Sequence, residues 1–94
     1  MPVKSISHIA FRASLDDLLT APSHLKSRGI EPRGFDGNPT DEPIVICWMP
    51  AASVFFHDPD GNLLEYISML PQSPRPELGV IRWSDWLKLR AVPR

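Results

Sequence analysis

Ninety-four residues, 43% of them apolar and 22% charged, make one domain at most, and size scaling gives roughly 60–65% of the unfolded chain's surface buried on folding. Ten basic and 11 acidic residues, mixed along the chain to a net charge of −1, create no field that would draw in nucleic acid or an anionic membrane, and no apolar run approaches the ~18 residues of a membrane helix. The single cysteine, Cys47, closes no internal disulfide and the N-terminus lacks the apolar core of a signal peptide, so a reducing, cytoplasmic location is expected.

In chain order, residues 5–12, SISHIAFR, set Ile6, His8 and Ala10 on one side and Ser7, Ile9 and Phe11 on the other. Both sets contain apolar groups, which suits a first strand covered on both faces. Ser14, with Asp17 three residues on, resembles a capped helix start. Leu15, Leu18, Leu19 and Leu25 continue as an apolar stripe that stops at Arg28-Gly29. Pro22 lies within that stripe and predicts a kink or two short helices, the stripe's continuation to Leu25 favouring the kink. Residues 30–35 read as a short second strand, confined by Pro32 to an edge or a strand start.

The turn-forming run DGNPTDEP, residues 36–43, has no apolar anchor and predicts an exposed loop of a length that suits a flap. IVICWM and ASVFFHD flank Pro50-Ala51-Ala52 and read as one strand broken by a bulge or as two short ones. Asp58-Pro59-Asp60-Gly61 is a tight-turn signal that makes a hairpin with NLLEYISML, whose Leu63, Glu65, Ile67 and Met69 share one face. Eleven prolines are about twice the usual share. Several fall after residue 70, where no regular structure is expected until Ser84 caps a short helix carrying Trp86 and Leu87. Trp83 and Trp86 predict packing of this extension, residues 71–94, on the domain (residues 1–70) or on a partner subunit. Lys88, Arg90 and Arg94 read as solvated charges.

The chemistry of the chain centres on Glu65. A carboxylate between Leu63 and Ile67 in mid-strand loses hydration worth several kcal/mol unless a cation or strong donors replace the water. His8 is in the same predicament between Ile6 and Ala10. If the first and last strands adjoin, the two groups converge on one divalent metal, form a plain His–Glu pair, or leave Glu65 facing water from an edge. His57 shares the strand parity of Phe55 and is a candidate for the same pocket, while His24 reads as a solvated helix residue. Asp58 and Asp60 suit turn hydrogen bonding and lack the ligand count of a calcium loop. Cys47 reads as an inert core thiol, and no serine elbow or phosphate-binding glycine loop is present.

The segments SHIAFRAS, DDLL and HLKSRGIEP, followed by ASVFFHDPDGNLLEYI, together resemble a βαβββ module of the vicinal oxygen chelate superfamily, also called the glyoxalase, bleomycin-resistance and dioxygenase superfamily. The resemblance covers about residues 5–70, and its most specific elements are DPDGNLLE and HIAF. It implies an α+β fold with a mixed sheet and one main helix. It also implies that two modules pair to close a cup-shaped sheet around a divalent metal, with ligands at the positions of His8 and Glu65. Most members carry two modules in a chain, and this sequence resembles the second alone, so a homodimer is expected to complete the site.

Two copies each of His8 and Glu65 would suit Ni, Co, Mn, Fe or Zn, with open positions for a substrate bearing adjacent oxygens. The implied activity is that of a lyase, isomerase or dioxygenase in which Glu65 is a ligand or detaches as proton acceptor. Trp48, Phe55 and His57 are the expected substrate contacts. The alternatives are a metal-free binding dimer, similar to the bleomycin-binding members, with Trp48, Phe55 and Trp86 lining the cup, or an isolated module without activity.

Overall fold

Ser14 is extended, and its hydroxyl oxygen accepts from the backbone N–H of Asp17 at 3.1 Å, so the first helix starts where the sequence predicts. The computed structural model describes residues 8–91. The start of the expected first strand, with Ile6, and Arg94 lie outside the described residues. The elements are β1 (His8–Arg12), α1 (Leu15–Ser27), β2 (Ile44–Ile46), β3 (Ala51–His57), β4 (Leu63–Met69), a 3-10 turn (Pro76–Leu78), β5 (Val80–Arg82) and α2 (Trp83–Ala91). The fold is α+β, with one mixed sheet in the order β1-β4-β3-β2-β5 and two helices.

The helix α1 runs through Pro22 as a single element, so of the two expected alternatives the pair of short helices is not what forms. Proline removes the bond that the Leu18 carbonyl would accept. The buried stripe of Leu18, Ala21, Pro22 and Leu25 against the sheet compensates. The helix ends in a Schellman arrangement: Ile30 N–H donates to Leu25 O at 2.9 Å and Gly29 N–H to Lys26 O at 3.0 Å, with Gly29 at φ 76°.

Residues 30–35 are not a strand. Pro32 has no N–H to give, and Arg33 makes only isolated bridges, exchanging bonds with Phe55 at 2.7 and 3.0 Å. The next segment resolves the other open reading: residues 44–57 form two antiparallel strands, Ile44 opposite Ser53 and Ile46 opposite Ala51, joined through the turn of Cys47, Trp48, Met49 and Pro50. The hairpin from β3 to β4 turns as expected, with Asp58 N–H donating to Asn62 O and Gly61, at φ 85°, donating to Asp58 O, both at 3.0 Å. The Asp58 carboxylate accepts from Asn62 Nδ2, Asn62 N and Asp60 N, and these bonds, the Asn62 side chain first, hold its carboxyl below the usual carboxylate range.

Beyond residue 70 the chain holds more regular structure than its prolines suggest. Val80–Arg82 pairs antiparallel with β2. The helix α2 begins at Trp83, and Ser84 donates to Glu42 from both its backbone N–H (2.8 Å) and its hydroxyl (3.0 Å). The capping group is therefore a carboxylate from the loop at 36–43, where Ser84 itself had been expected. That loop is anchored twice, by Glu42 here and by the Lys26–Asp41 ion pair to α1.

Between the sheet and the two helices lies the main core, where Val45, Ala52, Val54 and Phe56 meet Leu18, Leu25 and Trp86. Cys47 is buried with them, and burial pushes its thiol pKa up, in keeping with an unreactive core residue. Among the described residues no helix lies over the opposite face. There Ile44, Ile46 and Phe55 form a small second cluster with Leu63 and Val80 against it.

Candidate functional site

Sheet register places the chemistry. Because β1 runs parallel to β4 with Ala10 beside Glu65, and β3 runs antiparallel to it with Phe55 beside Glu65, the helix-free face carries a lattice of side chains. One row across it reads His57, Leu63, His8. The next reads Arg33, Phe55, Glu65, Ala10, and the one after it Ile44, Ser53, Ile67, Arg12. His8 and Glu65 thus sit one row apart on adjacent strands and face the same side.

They meet: His8 Nε2 stands 2.8 Å from Glu65 Oε1. The other carboxylate oxygen, Oε2, accepts the Ser53 hydroxyl at 2.7 Å. Glu65 is 4% exposed and Ser53 fully buried, whereas the His8 side chain is half exposed, so the imidazole forms the solvent side of the group. This answers the hydration cost that a mid-strand glutamate poses, since each oxygen has a partner.

Ser53 was not among the residues singled out from sequence. Strand parity carries a signal for it, because Ser53 is the polar residue between Ala51 and Phe55 on that face of β3. Glu65 itself gives no sign of which hydroxyl will reach it, since that depends on pairing across the hairpin.

Phe55 is buried beside the pair, its ring 6.0 Å from the His8 ring. Phe35 stands edge-on to Phe55 at 6.1 Å and to Trp48 at 6.0 Å, so Trp48 joins this wall through Phe35, a residue the sequence reading did not select. Phe35 and Trp48 are both about half exposed, at 53% and 46%. His57 is exposed at the end of β3 and lines a shallow cleft with Arg28, Glu31 and Arg33. Trp86 belongs to the core on the other side of the sheet, 2% exposed, and so does not line the cup as expected. The strand order fixes this, since α2 packs on the face of β2 opposite to Ile44 and Ile46.

The donor chemistry, one imidazole nitrogen and one carboxylate oxygen, is of the kind a divalent ion takes, and the two atoms stand at hydrogen-bond distance, 2.8 Å. Among the described residues no group of three or more His, Cys, Asp or Glu side chains converges, so one chain offers two donors and the rest must come from elsewhere. With Oε2 held by Ser53, Glu65 has one oxygen to give.

No helix among the described residues is long and apolar enough to cross a membrane. No protein-family model matches the chain, and no curated protein matches it. Among solved structures, an integron cassette protein from the mobile metagenome of the Halifax Harbour sewage outfall is similar to 72% of this chain at 26% identity, with a TM-score of 0.59. The chain spans 52% of that protein's length, so the likeness is to about half of it.

Proposed function

We propose that the chain is a single βαβββ module of glyoxalase and dioxygenase type whose helix-free face is covered by a second copy. In this reading His8 and Glu65 of both copies hold one divalent ion, Ni, Co, Mn, Fe or Zn, where a small substrate with adjacent oxygens undergoes lyase, isomerase or dioxygenase chemistry. The observation that carries the reading is the convergence of His8 Nε2 and Glu65 Oε1 on a face without a helix, with Glu65 buried and its second oxygen occupied by Ser53.

Two further observations support it. The strand order β1-β4-β3-β2, with β1 parallel to β4, sets the strands of His8 and Glu65 side by side, which is the condition on which their convergence rested. Met69, Met49, Trp48 and Phe35 expose 39–53% of their surface around that face, apolar area that a second copy would remove from water. The ion, when bound, would polarise the substrate's oxygens and acidify the carbon beside them. The chain's own part is to bind and to move a proton. Ser53 pins Oε2, so Oε1, which contacts His8 Nε2, is the oxygen that either stays a ligand or detaches to accept a proton, with the Phe35, Trp48 and Phe55 wall beside it.

A second reading has its own support. The His8–Glu65 contact is already a complete hydrogen bond without any ion, and the aromatic wall suits a flat ligand held without chemistry, as in a metal-free sequestering dimer. Metal content measured together with sedimentation on protein purified without chelator separates the two. The expected result is a dimer with about one ion per two chains, reduced to background in His8→Ala. Substoichiometric metal in both proteins overturns the metal reading, and a stable monomer at micromolar concentration overturns the shared site itself.

A further inference from the structure

In the strand order β1-β4-β3-β2-β5, β5 closes one side of the sheet with Val80–Arg82 and runs straight into α2, so β1 is the long open edge. Register fixes which groups that edge offers. In the parallel pairing of β1 with β4, Ala13 N–H donates to Ile67 O at 2.9 Å, and alternation turns the backbone groups of Ile9 and Phe11 inward in the same way. Those of His8, Ala10 and Arg12 therefore point out of the sheet, without a backbone partner among the described residues. Every residue of β1 is exposed. The devices that blunt an edge are missing: the strand holds no proline and no bulge, and its one arginine is its last residue.

The side chains decide what fits there. On the helix side α1 packs over β3 and β4, and Ile9 and Phe11 keep 45% and 46% of their surface in water. Two β1 strands set antiparallel about a two-fold axis at Ala10 bring Ile9 of each copy opposite the partner's Phe11, at the non-hydrogen-bonded positions where cross-strand side chains stand closest. The outward backbone groups match in the same register. His8 meets the partner's Arg12, Ala10 meets the partner's Ala10, and each such pair exchanges both of its N–H···O bonds. Every residue of the strand is used.

We infer that β1 is the edge through which a second copy of this chain joins, by antiparallel pairing centred on Ala10. The axis is normal to the sheet, so both helix-free faces stay on one side, and one row runs Glu65, Ala10, the partner's Ala10, the partner's Glu65. One chain offers two donors, His8 and Glu65, and this pairing brings the second set across the shared edge. It rests on the shared-site reading for the identity of the partner and supplies the surface through which that partner is held.

Residue-resolved amide hydrogen exchange on the full chain, dilute and concentrated, tests this together with sedimentation and metal content. Exchange at Ala10 and Arg12 is expected to slow at least about tenfold on concentration, whereas Phe11 and Ala13, which donate into β4, are protected throughout. Ala10→Pro removes an N–H that the subunit itself does not use. In a two-fold pair it deletes a bond from each side, so association should weaken about 30-fold, with the Phe11 and Ala13 amides still protected. Phe11→Lys leaves the backbone untouched and should weaken association at least about tenfold through the lost apolar pairs. A dimer whose Ala10 and Arg12 amides ignore concentration, or whose association constant survives both variants, overturns the inference even where metal is bound. A β1-paired dimer without metal supports it and removes the metal reading. A monomer at every concentration overturns both.

Discussion

Ser53 donates its hydroxyl hydrogen to Glu65 Oε2 at 2.7 Å across the β3–β4 hairpin, inside a site where neither residue is more than 4% exposed. Removing that donor leaves a buried carboxylate oxygen without a partner. Ser53→Ala is expected to lower stability by about 1–3 kcal/mol, read as the shift of the urea midpoint at constant slope. Ser68 is the control: it is also buried, in β4, but its hydroxyl makes no hydrogen bond among the described residues, and Ser68→Ala should be close to neutral. Equal losses in the two variants would mean that the Ser53 hydroxyl does nothing particular for Glu65.

Met69 ends the β4 row on the helix-free face with 51% of its surface in water. If a second copy covers that face, each chain buries about half a methionine there, and a two-fold interface counts the loss twice. Met69→Lys should therefore weaken self-association by about 2–3 kcal/mol, roughly 30–150-fold, while leaving the thermal midpoint of the dissociated chain unchanged, because the residue is exposed within the subunit. Sedimentation across a concentration series checks this. An unaltered association constant would place the interface elsewhere.

What could be read from the sequence was whatever local physics decides. The Ser14 cap, the Gly29 stop, the Asp58 to Gly61 turn and the parity that sets Glu65 with Leu63 and Ile67 all depend on neighbours within a few residues. Three features depended on distant partners and were hidden. Val80–Arg82 has too short a run for any period and becomes a strand because β2 offers it an edge. Residues 30–35 look like a strand but meet the sheet beyond the end of β2, where Pro32 leaves Arg33 alone to pair with Phe55. At the site, His8 and Glu65 were legible as two unsatisfied polar groups, whereas Ser53, Phe35 and the displacement of Trp86 to the far face follow from strand order.

Asp58 supplies a pH dependence with a definite sign. Its carboxyl lies below the ordinary 3.8 in the folded chain because the ionised form accepts from Asn62 and Asp60. A lowered folded pKa contributes stability that is fully present above the unfolded value and is lost as pH falls through the folded one. Asp58→Ala should lower the thermal midpoint at pH 7, and the gap from wild type should narrow progressively as pH falls below about 4. A gap that stays constant on acidification would show that the turn holds through its backbone bonds and Gly61 alone.

Trp86 is 2% exposed in the helix-side core, and its indole Nε1 is buried with no acceptor among the described residues. Its value to the fold is therefore area, with an unsatisfied donor subtracting from it. Trp86→Ala should cost about 3–5 kcal/mol through the cavity it opens. Trp86→Phe deletes the orphan N–H along with part of the ring, so the two effects oppose one another and the loss should stay under about 1.5 kcal/mol. Denaturant midpoints of both variants decide the matter, since a phenylalanine as damaging as alanine would mean that the indole nitrogen holds a bond on which α2 depends.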